Sequence, residues 1–162
     1  MLASTLMSND AVNTYDDEQL GWSNRPQFAR WEQLRDGLGS NLVYLGWHTN
    51  ALSGSTCFEG VETGSDARGT GSYRDVDGDA TVGTVNLTSN VHNAFINNVR
   101  AFYQSNWQNR GIIKSNNYGE SSQGNLGPVA GFFFEGLFHD NIADTNAYKD
   151  PEFRYIAARG IV

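Results

Sequence analysis

The sequence predicts an α+β fold: one compact domain of about three helices packed on a small, mostly antiparallel sheet, preceded by an extended N-terminal arm. Three observations predict it. Apolar residues recur at helical spacing in two stretches, Phe28, Trp31, Leu34, Leu38 and Val91, Phe95, Val99, Phe102. A β-rich run, Asn41-Leu-Val-Tyr-Leu-Gly-Trp-His48, lies between turn residues. The 162 residues are 39% hydrophobic and 12% aromatic, enough for one packed core and against disorder.

Residues 8–25 are polar and turn-rich and read as part of an arm spanning 1–25, with the domain at 26–162. Asn24-Arg-Pro26 reads as a helix start with proline near the first helical position, and Gly37 and Gly39 as its end. Residues 49–72 are rich in Gly, Ser and Thr and read as loop, with a short strand at Thr56-Cys-Phe58. The clearest helix runs from about Ser89, a suitable N-cap, to Trp107. Gly111-Ile-Ile113 reads as a short strand and Gly119 to Gly127 as a loop. Pro128 to Phe138 is apolar on every side and fits either a buried helix or a central strand. Asp150-Pro-Glu152 repeats the cap-then-proline pattern for a last helix that Gly160 closes.

Net charge is −7 and pI about 4.8, without the basic stripe that nucleic-acid binding needs. Lys114 and Lys149 are the only lysines, so a polybasic membrane patch is not expected. No run approaches the roughly 18 apolar residues of a membrane span. Met1-Leu-Ala-Ser-Thr-Leu-Met7 lacks the charge and apolar run of a signal peptide. Cys57 is the only cysteine, so no intrachain disulfide forms; flanked by Phe58, it reads as a small buried hydrophobe rather than a nucleophile served by His48, His92 or His139.

The segment Tyr73 to Asn86 carries the most specific chemical signal. Asp75, Asp77 and Asp79 alternate, with Gly78 among them, and fit loop positions 1, 3 and 5 of a calcium loop; Thr81 offers its carbonyl at position 7 and Asn86 stands at position 12. The stretch Asp75-Val-Asp-Gly-Asp-Ala-Thr-Val82 resembles the first half of a dockerin repeat or EF-hand loop. The resemblance implies a Ca²⁺ site. Ala80 replaces the usual glycine and Asn86 the usual acidic residue, and no second loop follows, so cohesin binding is not carried over. The alternative reading is a β-hairpin turning at Asp77-Gly78.

His139-Asp140 follows an apolar segment and resembles the His-Asp pair of metal-dependent phosphohydrolases, with His92 and Asp144 or Asp150 available as partners. On a helix, Glu135 and His139 would share a face and ligate together. The plainer reading has His139 and Asp140 capping a buried helix. Tyr15 and Trp22 are aromatic residues in a polar arm, which suggests docking on a neighbouring subunit. Together these features favour a non-catalytic structural or interaction protein of an oligomeric assembly, of virion or cell-surface type and outside the cytoplasm, with protein partners. The alternatives are a metal-dependent hydrolase using His139, Asp140 and His92, and a secreted carbohydrate-associated domain.

Overall fold

A computed structural model describes residues 17–38, 41–51, 66–76 and 81–162, with the side chains of 17–22 left aside. The elements are α1 (Asp17–Asp36), β1 (Val43–Asn50), β2 (Thr70–Arg74), α2 (Thr84–Phe102), β3 (Asn109–Lys114), a 3₁₀ turn (Gly119–Ser121), α3 (Gln123–Leu126), β4 (Ala130–Phe138), α4 (Ile142–Lys149) and α5 (Pro151–Ile161). The α+β class is as expected. One four-stranded sheet has the order β1-β4-β2-β3.

The sheet is mixed. Gly131 lies against Tyr44 and Gly136 against Trp47, so β1 and β4 advance together. Thr70 N–H donates to the Gln108 carbonyl and Ser115 N–H to the Arg74 carbonyl, so β2 and β3 also advance together. The chain divides into two compact units, Met1–Gly46 with Arg74–Val85 and Lys114–Phe133, and Trp47–Tyr73 with Asn86–Ile113 and Phe134–Val162.

In the first unit, α1 begins at Asp17, within the segment expected to be an extended arm, and carries Pro26 in its interior rather than at its start. The proline interrupts one turn of hydrogen bonding without ending the helix. The predicted apolar stripe does not become a buried face: Leu34 is 58% exposed, while Pro26 and Gln33 are buried. Phe28 and Trp31 instead pair with each other at 5.5 Å, and Arg35 covers the Trp31 ring. The helix is tied to the α3 turn by polar contacts, Gln27 Nε2 to Asn125 Oδ1 at 3.0 Å and Arg30 Nη1 to the Gly124 carbonyl at 3.3 Å.

In the second unit, α2 buries Thr88, His92, Phe95, Ile96 and Val99. It starts five residues before Ser89, which is therefore interior and caps nothing; Phe102, expected inside, is exposed. An aromatic cluster forms the core. Phe95 meets Phe134 at 4.9 Å and Phe153 at 6.4 Å, Trp47 meets Phe134 at 5.0 Å, and Trp107 meets Phe153 at 5.0 Å. Helix α5 starts as expected, with Asp150 Oδ1 accepting the Glu152 N–H. Gly160 lies inside it rather than closing it. A Cβ there would stand 2.7 Å from Phe95 Cα, so glycine lets α5 touch the α2 backbone. Helix α4, capped by Asn141, was not foreseen.

Two strands explain the rest. Pro128 to Phe138 contains the strand β4, all nine of whose residues are buried, which settles the helix-or-strand ambiguity. Strand β2 lies where a loop was expected, and all five of its residues are buried too. Its small polar side chains satisfy themselves inside: Thr70 Oγ1 donates to the Gly136 carbonyl at 2.7 Å and accepts from Trp107 Nε1 at 2.8 Å. Among the described residues no helix is long and apolar enough to cross a membrane.

Phe95 touches both Phe134 and Phe153, so Phe95→Ala should cost about 3–5 kcal/mol of stability, read as a lower denaturation midpoint with an unchanged slope. A loss under 1 kcal/mol would show that the cluster is not the core.

Candidate active site

The second unit buries a carboxylate in the middle of its sheet. Glu135 sits in β4 between Phe134 and Gly136 and is only 4% exposed. Two donors from the flanking strands bond it. Asn50, the last residue of β1, donates from Nδ2 to Oε2 at 2.5 Å, and the Tyr73 hydroxyl of β2 bonds the same carboxylate. His48 lies two residues before Asn50, so strand alternation turns it to the same face, and its charge acts on Glu135. Arg110 of β3 acts on it as well.

These partners only partly offset burial. Loss of water around Glu135 pushes its carboxyl above the ordinary range, and the bonds from Tyr73 and Asn50 and the charges of His48 and Arg110 pull it back. A carboxyl raised in this way keeps its proton to a higher pH than an ordinary glutamate, the direction that suits proton transfer. Surrounded by an amide, a phenol, an imidazole and a guanidinium, it is suited to acid–base work on a polar substrate.

Like Asp140, Asp144 is another buried carboxylate of this unit. It is fully enclosed, and Oδ2 accepts the N–H groups of Gly69 at 2.6 Å and Phe138 at 3.0 Å, with Arg68 Nε 3.5 Å from Oδ1. Burial raises its carboxyl, opposed by those backbone bonds and by Arg68 and Arg110. In the first unit, buried Glu120 accepts the Tyr44 hydroxyl at 2.6 Å with Arg25 3.7 Å away; burial first, and then Glu120, push the Tyr44 hydroxyl up. An open apolar groove in that unit, lined by Gln33, Leu34, Gly37, Leu42, Val82, Pro128 and Ala130, contains no titratable group.

The residues singled out from the sequence fare differently. His139 is exposed, with Nδ1 2.9 Å from Thr49 Oγ1, and its carbonyl accepts the Thr145 hydroxyl; Asp140 beside it is buried. His92 is buried in α2 with Nδ1 2.9 Å from Ser72 Oγ and Nε2 2.9 Å from Asn109 Oδ1. Burial lowers its pKa, and its two nitrogens are already engaged. Among the described residues no three of His, Cys, Asp and Glu gather to hold a metal.

Asp77 and Asp79 lie outside the described residues. Asp75 is buried and its Oδ2 accepts the Gln123 N–H at 2.6 Å, Thr81 Oγ1 donates to Gln123 Oε1, and Asn86 is an exposed residue of α2. Tyr15 and Cys57 also lie outside the described residues, and Trp22 is described only as part of the α1 backbone.

Sequence reasoning considered Glu135 only as a helical partner of His139. The signal that identifies it is simpler: a single carboxylate inside the unbroken apolar run Phe132 to Phe138 must be buried and answered by donors.

No family model matches the chain, and no curated protein matches it. Solved structures do. An N-acetylmuramoyl-L-alanine amidase from Clostridium difficile 630 is 19% identical, with a TM-score of 0.54 over 80% of this chain and 60% of that one. The catalytic domain of an N-acetylmuramoyl-L-alanine amidase from Bacillus (Paenibacillus) polymyxa var. colistinus is 17% identical, with a TM-score of 0.54 over 80% of this chain and 57% of that one. An N-acetylmuramyl-L-alanine amidase from Mycobacterium abscessus is 13% identical, with a TM-score of 0.54 over 84% and 57%. The chain thus spans about 60% of the length of the first of these amidases. At this identity the likeness concerns the fold.

Two expectations are corrected. The local resemblance to a dockerin or EF-hand does not extend to the fold, which is that of the amidases. The expected non-catalytic structural protein of a virion or assembly is not what the fold points to: the solved proteins named above that share it are N-acetylmuramoyl-L-alanine amidases.

Glu135 ties stability to pH with a definite sign. Its native pKa is raised, so the folded chain holds the proton more tightly than the unfolded one. That contribution is complete below the ordinary carboxylate value and is lost as pH rises through the raised native value. Urea melts of wild type and Glu135→Gln should therefore diverge in favour of the variant as pH rises across that window. A difference that stays constant with pH would refute the shift.

Proposed function

We propose that the chain is a hydrolase of amide bonds of the N-acetylmuramoyl-L-alanine type, acting on peptidoglycan outside the cytoplasm, with Glu135 as its general acid–base group. The observation that supports this most directly is the buried Glu135 cluster at the centre of a sheet whose fold is shared with amidases. In this reading ionised Glu135 takes a proton from water as its oxygen attacks the amide carbonyl carbon. It then returns a proton to the alanine nitrogen as the C–N bond breaks. Asn50 and Tyr73 hold the carboxylate in place during both transfers.

A metal cofactor suits amide hydrolysis by polarising the carbonyl. A catalytic zinc takes three protein ligands. His48 is a candidate for one, and the described residues do not complete such a set, so no step is routed through a metal. Calcium at Asp75, Asp77, Asp79, Thr81 and Asn86 is a separate proposal for a stabilising ion. It requires millimolar Ca²⁺ to raise the melting temperature, because an ion that binds only the folded chain stabilises it; an unmoved melting curve ends it.

The main reading is tested by incubating the chain with N-acetylmuramoyl-L-alanyl peptides, with and without added divalent metal, and measuring newly freed alanine amino groups. Glu135→Gln should lower kcat/KM by about 10²–10⁴ while leaving the fold intact. Equal rates for the two proteins would remove Glu135 from the chemistry, and no amine release under any metal condition would remove the amidase reading.

A further inference from the structure

His92 is a buried titratable group that the proposed chemistry does not use. It stands in the middle of α2, 2% exposed, and both of its ring nitrogens are bonded to the sheet. Nδ1 lies 2.9 Å from Ser72 Oγ of β2, and Nε2 lies 2.9 Å from Asn109 Oδ1 at the start of β3. One imidazole thus joins the helix to two neighbouring strands.

The bonds around the ring fix where its hydrogen sits. Asn109 Oδ1 also accepts the Gly111 N–H at 2.7 Å, so the oxygen of that amide, and not its NH₂, faces His92. An amide oxygen only accepts, so Nε2 carries the hydrogen. Nδ1 of the neutral ring is then a lone pair, and the Ser72 hydroxyl donates to it. A further proton can go only to Nδ1, where it turns that acceptor into a donor pointed at another donor. The Ser72 hydroxyl has to turn its hydrogen away, inside a strand whose five residues are all buried.

The positive charge is also unanswered. Helix α2 and strands β2 and β3 contain no Asp or Glu; their charged residues are Arg100, Arg74, Arg110 and Lys114, all cations. Tyr73, Glu135 and His48 each follow a residue that faces α2, namely Ser72, Phe134 and Trp47, so strand alternation turns them to the other side. Helix α5 meets α2 at Phe95, and its Glu152, Arg154, Tyr155 and Arg159 are all exposed. Burial therefore holds the imidazole below its ordinary value, opposed only by the bond to Asn109.

We propose that the Ser72–His92–Asn109 chain is an acid-operated latch between α2 and the β2–β3 pair. It holds while His92 is neutral and opens when Nδ1 takes a proton. Tyr73 follows Ser72 in β2 and bonds Glu135, so opening loosens the strand that serves that carboxylate. The sign of the pH dependence follows. The latch contributes its full stability above the ordinary histidine value of about 6.5, and that contribution is lost as pH falls below it.

Urea melts of wild type and His92→Gln, from about pH 7.5 down to about pH 5, test the latch. Glutamine keeps a donor for Asn109 and does not titrate. The unfolding constant of wild type should rise relative to that of the variant by up to about tenfold for each pH unit below about 6.5. Parallel pH dependences would overturn the proposal. Ser72→Ala separates the hydrogen-bonded chain from burial alone. It removes the donor that favours the neutral ring, so the pH dependence of its stability should be shallower than that of wild type; an unaltered dependence would also overturn the latch. Imidazole ¹⁵N shifts of the folded wild-type chain supply a measurement that needs no variant. They should show the Nε2–H tautomer, without protonation while the chain stays folded. An Nδ1–H tautomer at neutral pH, or protonation of the folded chain near the ordinary histidine value, would overturn the assignment even if His92→Gln does not fold.

Discussion

The second unit is organised around the cost of placing a carboxylate in the middle of a wholly buried strand. Taking Glu135 out of water is unfavourable unless polar partners replace the water, and no residue of β4 itself can do so, because its neighbours along the strand are Phe133, Phe134, Gly136 and Leu137. The partners have to come from the strands on either side. The order β1-β4-β2 supplies them, with Asn50 and His48 from one side and Tyr73 from the other. Topology and site are thus one constraint: β4 must be central for Glu135 to be buried, and central placement is what brings its donors.

The opposite face of the same strands makes that placement stable. Phe134 enters the aromatic cluster with Trp47 and Phe95, which fixes α2 against the sheet. Gly136 allows the Trp47 ring so near that a Cβ would lie 2.7 Å from it. Thr70 and Ser72 fill the buried strand β2 with small side chains whose hydroxyls are bonded to the Gly136 carbonyl, Trp107 and His92. Each polar group in this layer is answered locally, so the layer adds packing without adding another charge.

How much of this the sequence discloses depends on whether the physical signal is local. The proline cap of α5, the apolar face of α2 around Phe95 and Val99, and the β character of residues 43–48 are written in short-range pattern and were legible. Strand β2 was not, because Thr70-Gly-Ser72 carries no hydrophobic signal; it is a strand because long-range partners satisfy its hydroxyls. Pro26 misled for a similar reason, since a proline that often begins a helix here sits inside one. At the site, Glu135 was visible as a residue but not as a centre. Its role depends on Asn50 and Tyr73, distant in sequence and joined to it only by the strand order. The alternating aspartates drew attention because their spacing is local, yet the described part of that segment shows Asp75 bonded to the backbone of Gln123.

Two of the buried carboxylates of the second unit, Glu135 and Asp144, separate structure from chemistry. Both Glu135 and Asp144 are raised by burial, so a perturbed pKa alone does not choose between them. Their partners do. Asp144 Oδ2 accepts two backbone N–H groups, from Gly69 and Phe138, which cannot give up their protons or move without unpairing the strand ends. It also lies in the first turn of α4, where a negative charge is favoured. Those bonds make Asp144 a fastener between the start of β2 and the end of β4. Glu135 is answered by side chains, an amide and a phenol, and by nearby imidazole and guanidinium charges, all of which can rotate or exchange partners as a proton moves. A buried acid whose partners can rearrange is the one able to change its protonation state during a reaction, which favours Glu135 for the proposed chemistry and Asp144 for fastening.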